Sequence, residues 1–251
     1  MLLAIDIGNT NMLVGLYSEN TLMHHWRLET KQERTADEMG IFFKELFSFV
    51  GLDLKVVKKI IISNVVPPLE FSLSTMCERY FGLSPQWITT DLSTPIKVAL
   101  DNPQEIGADR LVNAVAGIHK YGAPLILVDF GTATTFDFID QNKNYQGGLI
   151  VPGISISSEA LYKKASKLPR VEIKKPKRVI GKNTIESVQS GIFYGYAGLV
   201  DSIIEKIKEE SQSNPIVVAT GGFLSLMTQG SKNIQHWDPF LTLEGLRLLA
   251  K

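Results

Sequence analysis

Two short acidic motifs in the chain carry residue types that can bind a nucleotide. One apolar run ends in Asp6-x-Gly8, and a second run far downstream ends in Asp129-x-Gly131. Aspartate is costly inside a buried strand, so we expect each carboxylate at a strand end, where a cation or turn amides can meet it. The glycine allows a tight turn and the close approach of a ligand. One copy is typical of many hairpins. Two copies, each after an apolar run and before small polar residues, favour a duplicated fold that holds a nucleotide between its halves.

The turn after the first motif is suited to phosphate and magnesium. Asparagine and threonine side chains, together with turn N–H groups, can hold phosphate or metal-bound water. Mg²⁺ needs few protein ligands, so the carboxylate of Asp6 can hold the ion or its waters. The turn lacks the Gly-x-x-x-x-Gly-Lys-Ser/Thr pattern of a Walker site. The nucleotide-binding residues predicted here are Asp6, Ile7, Gly8, Asn9, Thr10, Asn11, Met12 and Leu13. The alternative is a structural hairpin in which Asp6 only forms the turn.

Hydrophobic periodicity predicts the elements that position these motifs. In each half, strands come first and helices follow, which indicates an α/β protein with two domains, residues 1–118 and 119–251. Strands are predicted near 2–7, 11–17, 22–28, 60–62, 125–130, 133–139, 145–151 and 216–219. Helices are predicted after a capping box at Thr35 and Glu38, over 69–81, and from a cap at Asn183 to about Glu210. The basic stretch 163–182 is expected to be a solvated loop.

Composition excludes several functional classes. The 251 residues can bury a large core, and Lys plus Arg equals Asp plus Glu at 26 each, which gives no charge signature for nucleic acid or an anionic membrane. The lone Cys77 excludes an intramolecular disulfide and falls in an apolar periodic segment, so we expect a buried helical cysteine. No apolar stretch approaches membrane-spanning length, and the start does not resemble a signal peptide. We therefore expect a cytoplasmic protein.

The segment Gly107-Ala108-Asp109-Arg110 offers a candidate general base. Helical spacing follows it, so Asp109 is expected near a helix start, where the dipole favours the anion. The two small residues leave space for a substrate. A carboxylate placed there can accept the proton of a hydroxyl group as that group attacks the γ-phosphate. The alternative is an ordinary acid in the first turn of a helix, with Arg110 as its surface partner.

In this order along the chain, these motifs resemble those of type III pantothenate kinase. The resemblance rests on Asp6-x-Gly8-Asn9-Thr10, Gly107-Ala108-Asp109-Arg110, Asp129-x-Gly131-Thr132-Ala133-Thr134-Thr135 and Thr220-Gly221-Gly222, and it runs over the whole chain. Further matches are Ala165-x-x-Leu168-Pro169, Val179-x-Gly181-Lys182-Asn183-Thr184 and Asp238-Pro239-x-Leu241-Thr242-x-x-Gly245-Leu246. One departure is Leu100, where many members carry an aromatic residue near the substrate.

The resemblance implies a fold, a reaction and a set of site residues. The fold is α/β, with two duplicated actin-like (ribonuclease H-like) domains whose mixed sheets are flanked by helices. The reaction is ATP-dependent phosphorylation of pantothenate to 4′-phosphopantothenate, the first step of coenzyme A synthesis, with Mg²⁺ and a monovalent cation, K⁺ or NH₄⁺. The residues implied are Gly107, Ala108, Asp109, Arg110 and Thr184 for pantothenate, with Asp109 as proton acceptor, Thr132 for ATP and Asp129 for the monovalent cation.

Three of these roles stay open between alternatives. The guanidinium of Arg110 suits either the carboxylate of pantothenate or a phosphate oxygen. Asp129 can instead help Asp6 to hold Mg²⁺, because facing carboxylates commonly share one ion. Thr184 can be an ordinary helix-start residue.

The long helix carries Gly191, Gly195 and Gly198, which is unusual because each glycine costs about 1 kcal/mol relative to alanine inside a helix. Small residues at this spacing permit the close approach of another element, and the resembled family is dimeric. We therefore expect a C₂ homodimer in which the long helices meet. A kinked or broken helix is the alternative.

Two other functions compete with this one. A sugar kinase or an exopolyphosphatase of the same superfamily is disfavoured, since the sugar-binding Glu-x-Gly-His motif and cysteine-rich zinc motifs are absent from the sequence. The non-enzymatic alternative is a degenerate kinase that acts as an accessory factor for transcription. The presence of Asp6, Asp109, Asp129 and Thr132 argues against lost catalysis.

Overall fold

The computed structural model of the protein describes residues 1–89 and 94–250, which form two compact units. Unit 1 contains Met1–Pro95, Asn102–Ala116 and Leu241–Lys251, and unit 2 contains Ile96–Asp101 and Gly117–Phe240. These units differ from the predicted domains, 1–118 and 119–251, chiefly in two segments. Residues 96–101 belong to unit 2 because they pair with its sheet, and the C-terminal helix belongs to unit 1 because it packs on the sheet there.

The structure confirms the predicted strands, with no boundary more than two residues away, and adds three short strands. They are β1 (Leu2–Ile7), β2 (Asn11–Ser18), β3 (Thr21–Glu29), β4 (Lys59–Asn64), β5 (Gln86–Trp87), β6 (Lys97–Val98), β7 (Leu125–Phe130), β8 (Ala133–Ile139), β9 (Asn144–Pro152), β10 (Ile216–Gly221) and β11 (His236–Trp237). In unit 1 the strand order is β3-β2-β1-β4-β5, and in unit 2 it is β11-β10-β7-β8-β9-β6. Both sheets are mixed, since β1 and β7 each have one antiparallel and one parallel neighbour.

The helices lie largely where their sequence signals are. They are α1 (Ala36–Phe49), α2 (Glu70–Met76), α3 (Ala108–Tyr121), α4 (Ile154–Lys164), α5 (Thr184–Ser211), α6 (Leu224–Met227) and α7 (Leu241–Leu249). Thr35 and Glu38 form the predicted capping box. The helix predicted over 69–81 is α-helical only to Met76, and Cys77–Phe81 continue as a wider π turn that ends at the left-handed Gly82. Cys77 is buried in this turn, and burial raises the pKa of its thiol to about 12.

The sheet of unit 1 is covered on both faces. One face carries Leu3, Ile5 and Ile7 of β1 and packs in the core that contains α1 and α2. The other face is covered by α7, whose Leu243 packs against Gly15 of β2. The start of α3 packs against α7 through two contacts. Gly245 of α7 lies close to the backbone of Val112 in α3, and Thr242 of α7 donates a buried 2.7 Å hydrogen bond to the side chain of Asn113 in α3. The side of the sheet that bears Asp6 is therefore also the side on which α3 begins.

The sheet of unit 2 has the same construction. Ile126, Val128 and Phe130 of β7 face a core built with α5, which includes Phe193 and Val200. The opposite face carries Leu125, Leu127 and Asp129, and the later part of α3 packs there through Gly117. The long helix α5 is continuous, so the alternative of a broken helix is wrong. Among the described residues, none of the helices has the length and apolar character to cross a membrane.

Candidate functional site

The first candidate site element is the β1–β2 hairpin of unit 1. Asp6 is the fifth of six residues in β1, and it is half-buried while Ala4, Ile5 and Ile7 are fully buried. The turn that follows is closed by a 3.0 Å hydrogen bond from the Gly8 amide to the Asn11 carbonyl. The Thr30 hydroxyl donates to the Gly8 carbonyl at 2.7 Å and holds the turn against β3.

Only part of the predicted nucleotide-binding segment exposes its side chains. Asn9, Thr10 and Asn11 are exposed at the tip of the hairpin, where they can meet phosphate oxygens. Ile7, Met12 and Leu13 are buried, so their side chains serve the core and only their backbone can face a ligand.

The β7–β8 hairpin of unit 2 repeats this arrangement. Asp129 is the fifth of six residues in β7 and is half-buried, and the turn after it exposes Gly131 and Thr132. Asp129 lies opposite Thr135 in the antiparallel ladder, as Asp6 lies opposite Leu13. The predicted equivalence of the two acidic motifs therefore extends from sequence to strand position and pairing.

Each strand-end aspartate also has a buried hydroxyl residue beside it on the parallel neighbour strand. Ser63 of β4 pairs with Asp6, and Thr220 of β10 pairs with Asp129. Ser63 is fully buried and Thr220 nearly so. Sequence reasoning missed both side chains as site residues. The signal was present in the sequence, because a hydroxyl residue directly follows each of the two apolar runs, Ile60–Ile62 and Ile216–Ala219.

Two glycines lie close to the end of β7 and to the turn that follows it. Gly221 has φ of 98°, and a Cβ there would lie 2.5 Å from Oδ1 of Asp129. Gly153, just before α4, has its would-be Cβ 2.2 Å from the carbonyl oxygen of Thr132. A larger residue at Gly221 would displace the end of β7, and one at Gly153 would displace the turn. These glycines were not among the predicted site residues.

At the start of α3, the carboxylate of Asp109 lies close to the α-carbon of Gly107. The Asp109 carboxylate folds back so that Oδ1 accepts a 2.8 Å hydrogen bond from the Arg110 amide, and a Cβ on Gly107 would lie 2.6 Å from this oxygen. Burial raises the pKa of Asp109, and the Arg110 amide and guanidinium oppose the shift. We expected the helix dipole to favour the anion, but desolvation has the larger effect. A carboxylate with a raised pKa is a stronger base than an exposed aspartate.

Thr184 lies in unit 2 and is the first residue of α5, directly after the Asn183 cap, whose side chain accepts a hydrogen bond from the Glu186 amide. It lines a groove of about 510 Å³ between α4 and α5, together with Leu161, Leu168, Ser187, Val188, Gly191 and Ile192. Hydroxyl groups and apolar side chains together suit a ligand that is partly apolar.

The donor atoms at Asp6 fit a magnesium ion. Mg²⁺ takes oxygen ligands and usually keeps several waters, with one or two carboxylates and substrate phosphates completing its shell. The Asp6 carboxylate is an oxygen ligand of this kind, and the buried Ser63 hydroxyl is its neighbour in the ladder. Within residues 1–89 and 94–250, no group of three or more His, Cys, Asp or Glu side chains could hold a metal ion. An ion at Asp6 would therefore take most of its ligands from water and phosphate.

Residues 2–206 match the model of a family described as type III pantothenate kinase. The chain belongs to this family. A kinase of this family binds ATP and a divalent metal.

Solved structures share the fold of this type III pantothenate kinase family member at low identity. A protein assigned to the Baf family of transcriptional activators, from Campylobacter jejuni, has TM-score 0.60 and 19% identity, over 98% of this chain and 96% of that one. Component A of (R)-2-hydroxyglutaryl-CoA dehydratase from Acidaminococcus fermentans has TM-score 0.56 and 11% identity, over 99% of this chain and 95% of that one. A protein assigned as an N-acetylglucosamine kinase, from Porphyromonas gingivalis, has TM-score 0.51 and 10% identity, over 99% of this chain and 98% of that one. The fold is therefore the actin-like ATPase fold.

Replacing Asp109 by Asn should stabilise the fold at neutral pH. The raised pKa means that the folded protein holds a proton on Asp109 more tightly than the unfolded chain does, so the ionised form costs stability. Asn removes this charge and keeps the oxygen that accepts from the Arg110 amide. Urea unfolding at pH 7 should give Asp109→Asn the higher midpoint. This advantage should shrink as the pH falls through the raised pKa towards 3.8, the ordinary value for aspartate. A lower midpoint for the variant at pH 7 would show that the carboxylate stabilises the fold.

Proposed function

We propose that the protein phosphorylates pantothenate to 4′-phosphopantothenate at the expense of ATP. The observation that carries the proposal is the start of α3, where a carboxylate with a raised pKa sits over a glycine in a chain of this family. A kinase that acts on an alcohol needs a group that takes the hydroxyl proton, and Asp109 has the properties of such a group. The raised pKa brings this base closer to the operating pH.

In this mechanism, the chain mainly positions its substrates. An Oδ atom of Asp109 accepts the hydroxyl proton of pantothenate late in a loose transition state. Gly107 leaves the space in which the carboxylate folds back, and Arg110 follows in the first turn of α3 with a guanidinium that can bind a carboxylate or a phosphate oxygen. Thr184 contributes a hydroxyl in the groove between α4 and α5.

Each strand-end hairpin carries groups that suit a nucleotide or its ions. Asp6 would hold Mg²⁺ directly or through water, and the ion, when bound, neutralises charge on the phosphates. Asn9, Thr10, Asn11 and Thr132 are exposed in the turns and can donate hydrogen bonds to phosphate oxygens. Asp129 would hold the monovalent cation, K⁺ or NH₄⁺. A shared role with Asp6 in holding Mg²⁺ is the alternative.

A coupled assay of ADP release tests the proposal directly. Pantothenate should support turnover in the presence of Mg²⁺ and K⁺, whereas glucose and N-acetylglucosamine should not. Turnover with a sugar alone would instead make the protein a sugar kinase of the same fold. That outcome is relevant because one similar structure is assigned as an N-acetylglucosamine kinase.

The Asp109→Asn variant should lose most turnover with pantothenate while it still binds ATP. A general base typically contributes about 10²- to 10⁴-fold, so kcat should fall by a factor in this range. Calorimetry with a non-hydrolysable ATP analogue provides the binding control. Near wild-type kcat would reduce Asp109 to a structural residue at the helix start.

Asp129→Ala should weaken activation by K⁺ or NH₄⁺ more than it weakens pantothenate binding. The reason is that its carboxylate is the charged group at the strand end of unit 2, the position equivalent to Asp6. Initial rates at increasing KCl concentrations, with NaCl held to constant ionic strength, measure this effect. Glu205→Ala removes an exposed carboxylate elsewhere in unit 2 and serves as the control. An unchanged dependence on K⁺ would assign Asp129 to Mg²⁺ or to the fold.

A transcriptional role is the second candidate function. It is favoured by one observation, the likeness over nearly the whole chain to the Campylobacter jejuni protein assigned as a transcriptional activator. This reading requires a degenerate kinase, yet Asp6, Asp109, Asp129 and Thr132 are all present. Protein that binds ATP but leaves pantothenate unphosphorylated at saturating Mg²⁺ and K⁺ would favour it.

We also propose that the protein is a homodimer in which the α5 helices meet. Gly191, Gly195 and Gly198 lie on one exposed stripe of α5, and a Cβ at any of them would have no contact within 4 Å. This stripe is therefore open to a second helix. Large exposed apolar side chains of unit 2 support an interface in this region, namely Ile156, Leu161, Tyr162, Ile185 and Tyr194.

Replacing Gly195 by Leu should separate the two chains and weaken pantothenate binding. The side chain has room in the single chain, and the change favours the helix by about 1 kcal/mol, so a loss of fold is not expected. Light scattering gives the mass, and steady-state kinetics gives the KM for pantothenate. Lys206→Leu, an exposed position near the end of the same helix, is the matched control. A variant that remains dimeric would place the interface elsewhere, and an active monomer would exclude a shared site.

A further inference from the structure

The buried hydroxyl of Ser63 has no role in the fold that its contacts can explain. Ser63 is the fifth residue of β4, and its side chain is fully buried. Its Oγ has no hydrogen-bond partner in the part of the chain that the structure describes. A buried hydroxyl left without a partner lowers the stability of the fold, so alanine would be the more stable residue at this position. Buried polar groups normally have a hydrogen-bond partner, so a buried serine without one points to a functional role.

The position of Ser63 in the sheet gives that explanation. Ser63 and Asp6 are register partners in the parallel ladder of β1 and β4, so their side chains project from the same face of the sheet. That face is the one on which α7 packs and α3 begins. A hydroxyl can both donate and accept a hydrogen bond, and it therefore suits either a water molecule or a carboxylate oxygen.

We propose that Ser63 is a positioning residue for the divalent metal held by Asp6. Its hydroxyl makes a hydrogen bond to a water in the shell of the ion and so fixes where that water and the Asp6 carboxylate lie. Mg²⁺ keeps several of its waters when it binds to proteins, and these waters need partners. The inference rests on the proposed role of Asp6 in metal binding, and it does not depend on pantothenate as the acceptor.

The test measures stability and metal dependence in the Ser63→Ala variant. Without ligands, the urea midpoint of this variant should equal or exceed that of the wild type, because the orphan hydroxyl is gone. Calorimetry with a non-hydrolysable ATP analogue should show that the Mg²⁺ concentration needed for tight binding rises roughly 10- to 100-fold, as is typical when a metal loses an outer partner. Binding of the analogue in EDTA should be unchanged. Ser63→Thr keeps the hydroxyl and should restore much of the wild-type Mg²⁺ dependence.

Ser190→Ala is the matched control, because Ser190 is a buried serine whose hydroxyl donates to the Val179 carbonyl. This variant should lose stability and keep its Mg²⁺ dependence, the opposite of Ser63→Ala on both measures. A wild-type Mg²⁺ dependence in Ser63→Ala, or a loss of stability like that of the control, would overturn the role of Ser63 alone. Analogue binding by the wild type that does not respond to Mg²⁺ would overturn the metal site at Asp6 as well. A sugar in place of pantothenate as the acceptor would leave the inference intact.

Discussion

The cost of burying a carboxylate is the constraint on which this structure depends. Each unit has a central strand that is covered on both faces, and an aspartate in the middle of such a strand would be isolated from water. Asp6 and Asp129 instead occupy the fifth of six positions, where the strand emerges from the core. The buried residues before them fix the strand, and the glycines after them turn the chain. Because both units have this arrangement, each has one carboxylate at the end of its central strand and one polar turn directly after it.

Two of the candidate site residues also lower the stability of the fold. Burial raises the pKa of Asp109, so its ionised form is costly at neutral pH. Ser63 buries a hydroxyl that lacks a partner among the described residues. A sequence selected only for stability would avoid such features, and real proteins accept them mainly at functional sites.

Much of the fold could be predicted from the sequence because its signals are local. Apolar runs predicted β1, β4, β7 and β10, and the capping box at Thr35 predicted the start of α1. The side of the sheet on which α7 lies could not be predicted, because it depends on Gly245 meeting the backbone of Val112, far away in sequence. The direction of the pKa shift at Asp109 likewise depends on burial, which the local sequence does not contain.

Transfer of the γ-phosphate to the pantothenate hydroxyl is the central claim, and ³¹P NMR follows it most directly. With ATP, Mg²⁺, K⁺ and pantothenate, a phosphomonoester resonance should grow as the γ-phosphate signal declines, and ADP should form in equal amount. Omission of pantothenate should leave ATP intact. Unchanged ATP in the complete mixture, or release of inorganic phosphate without a phosphomonoester, would contradict the account.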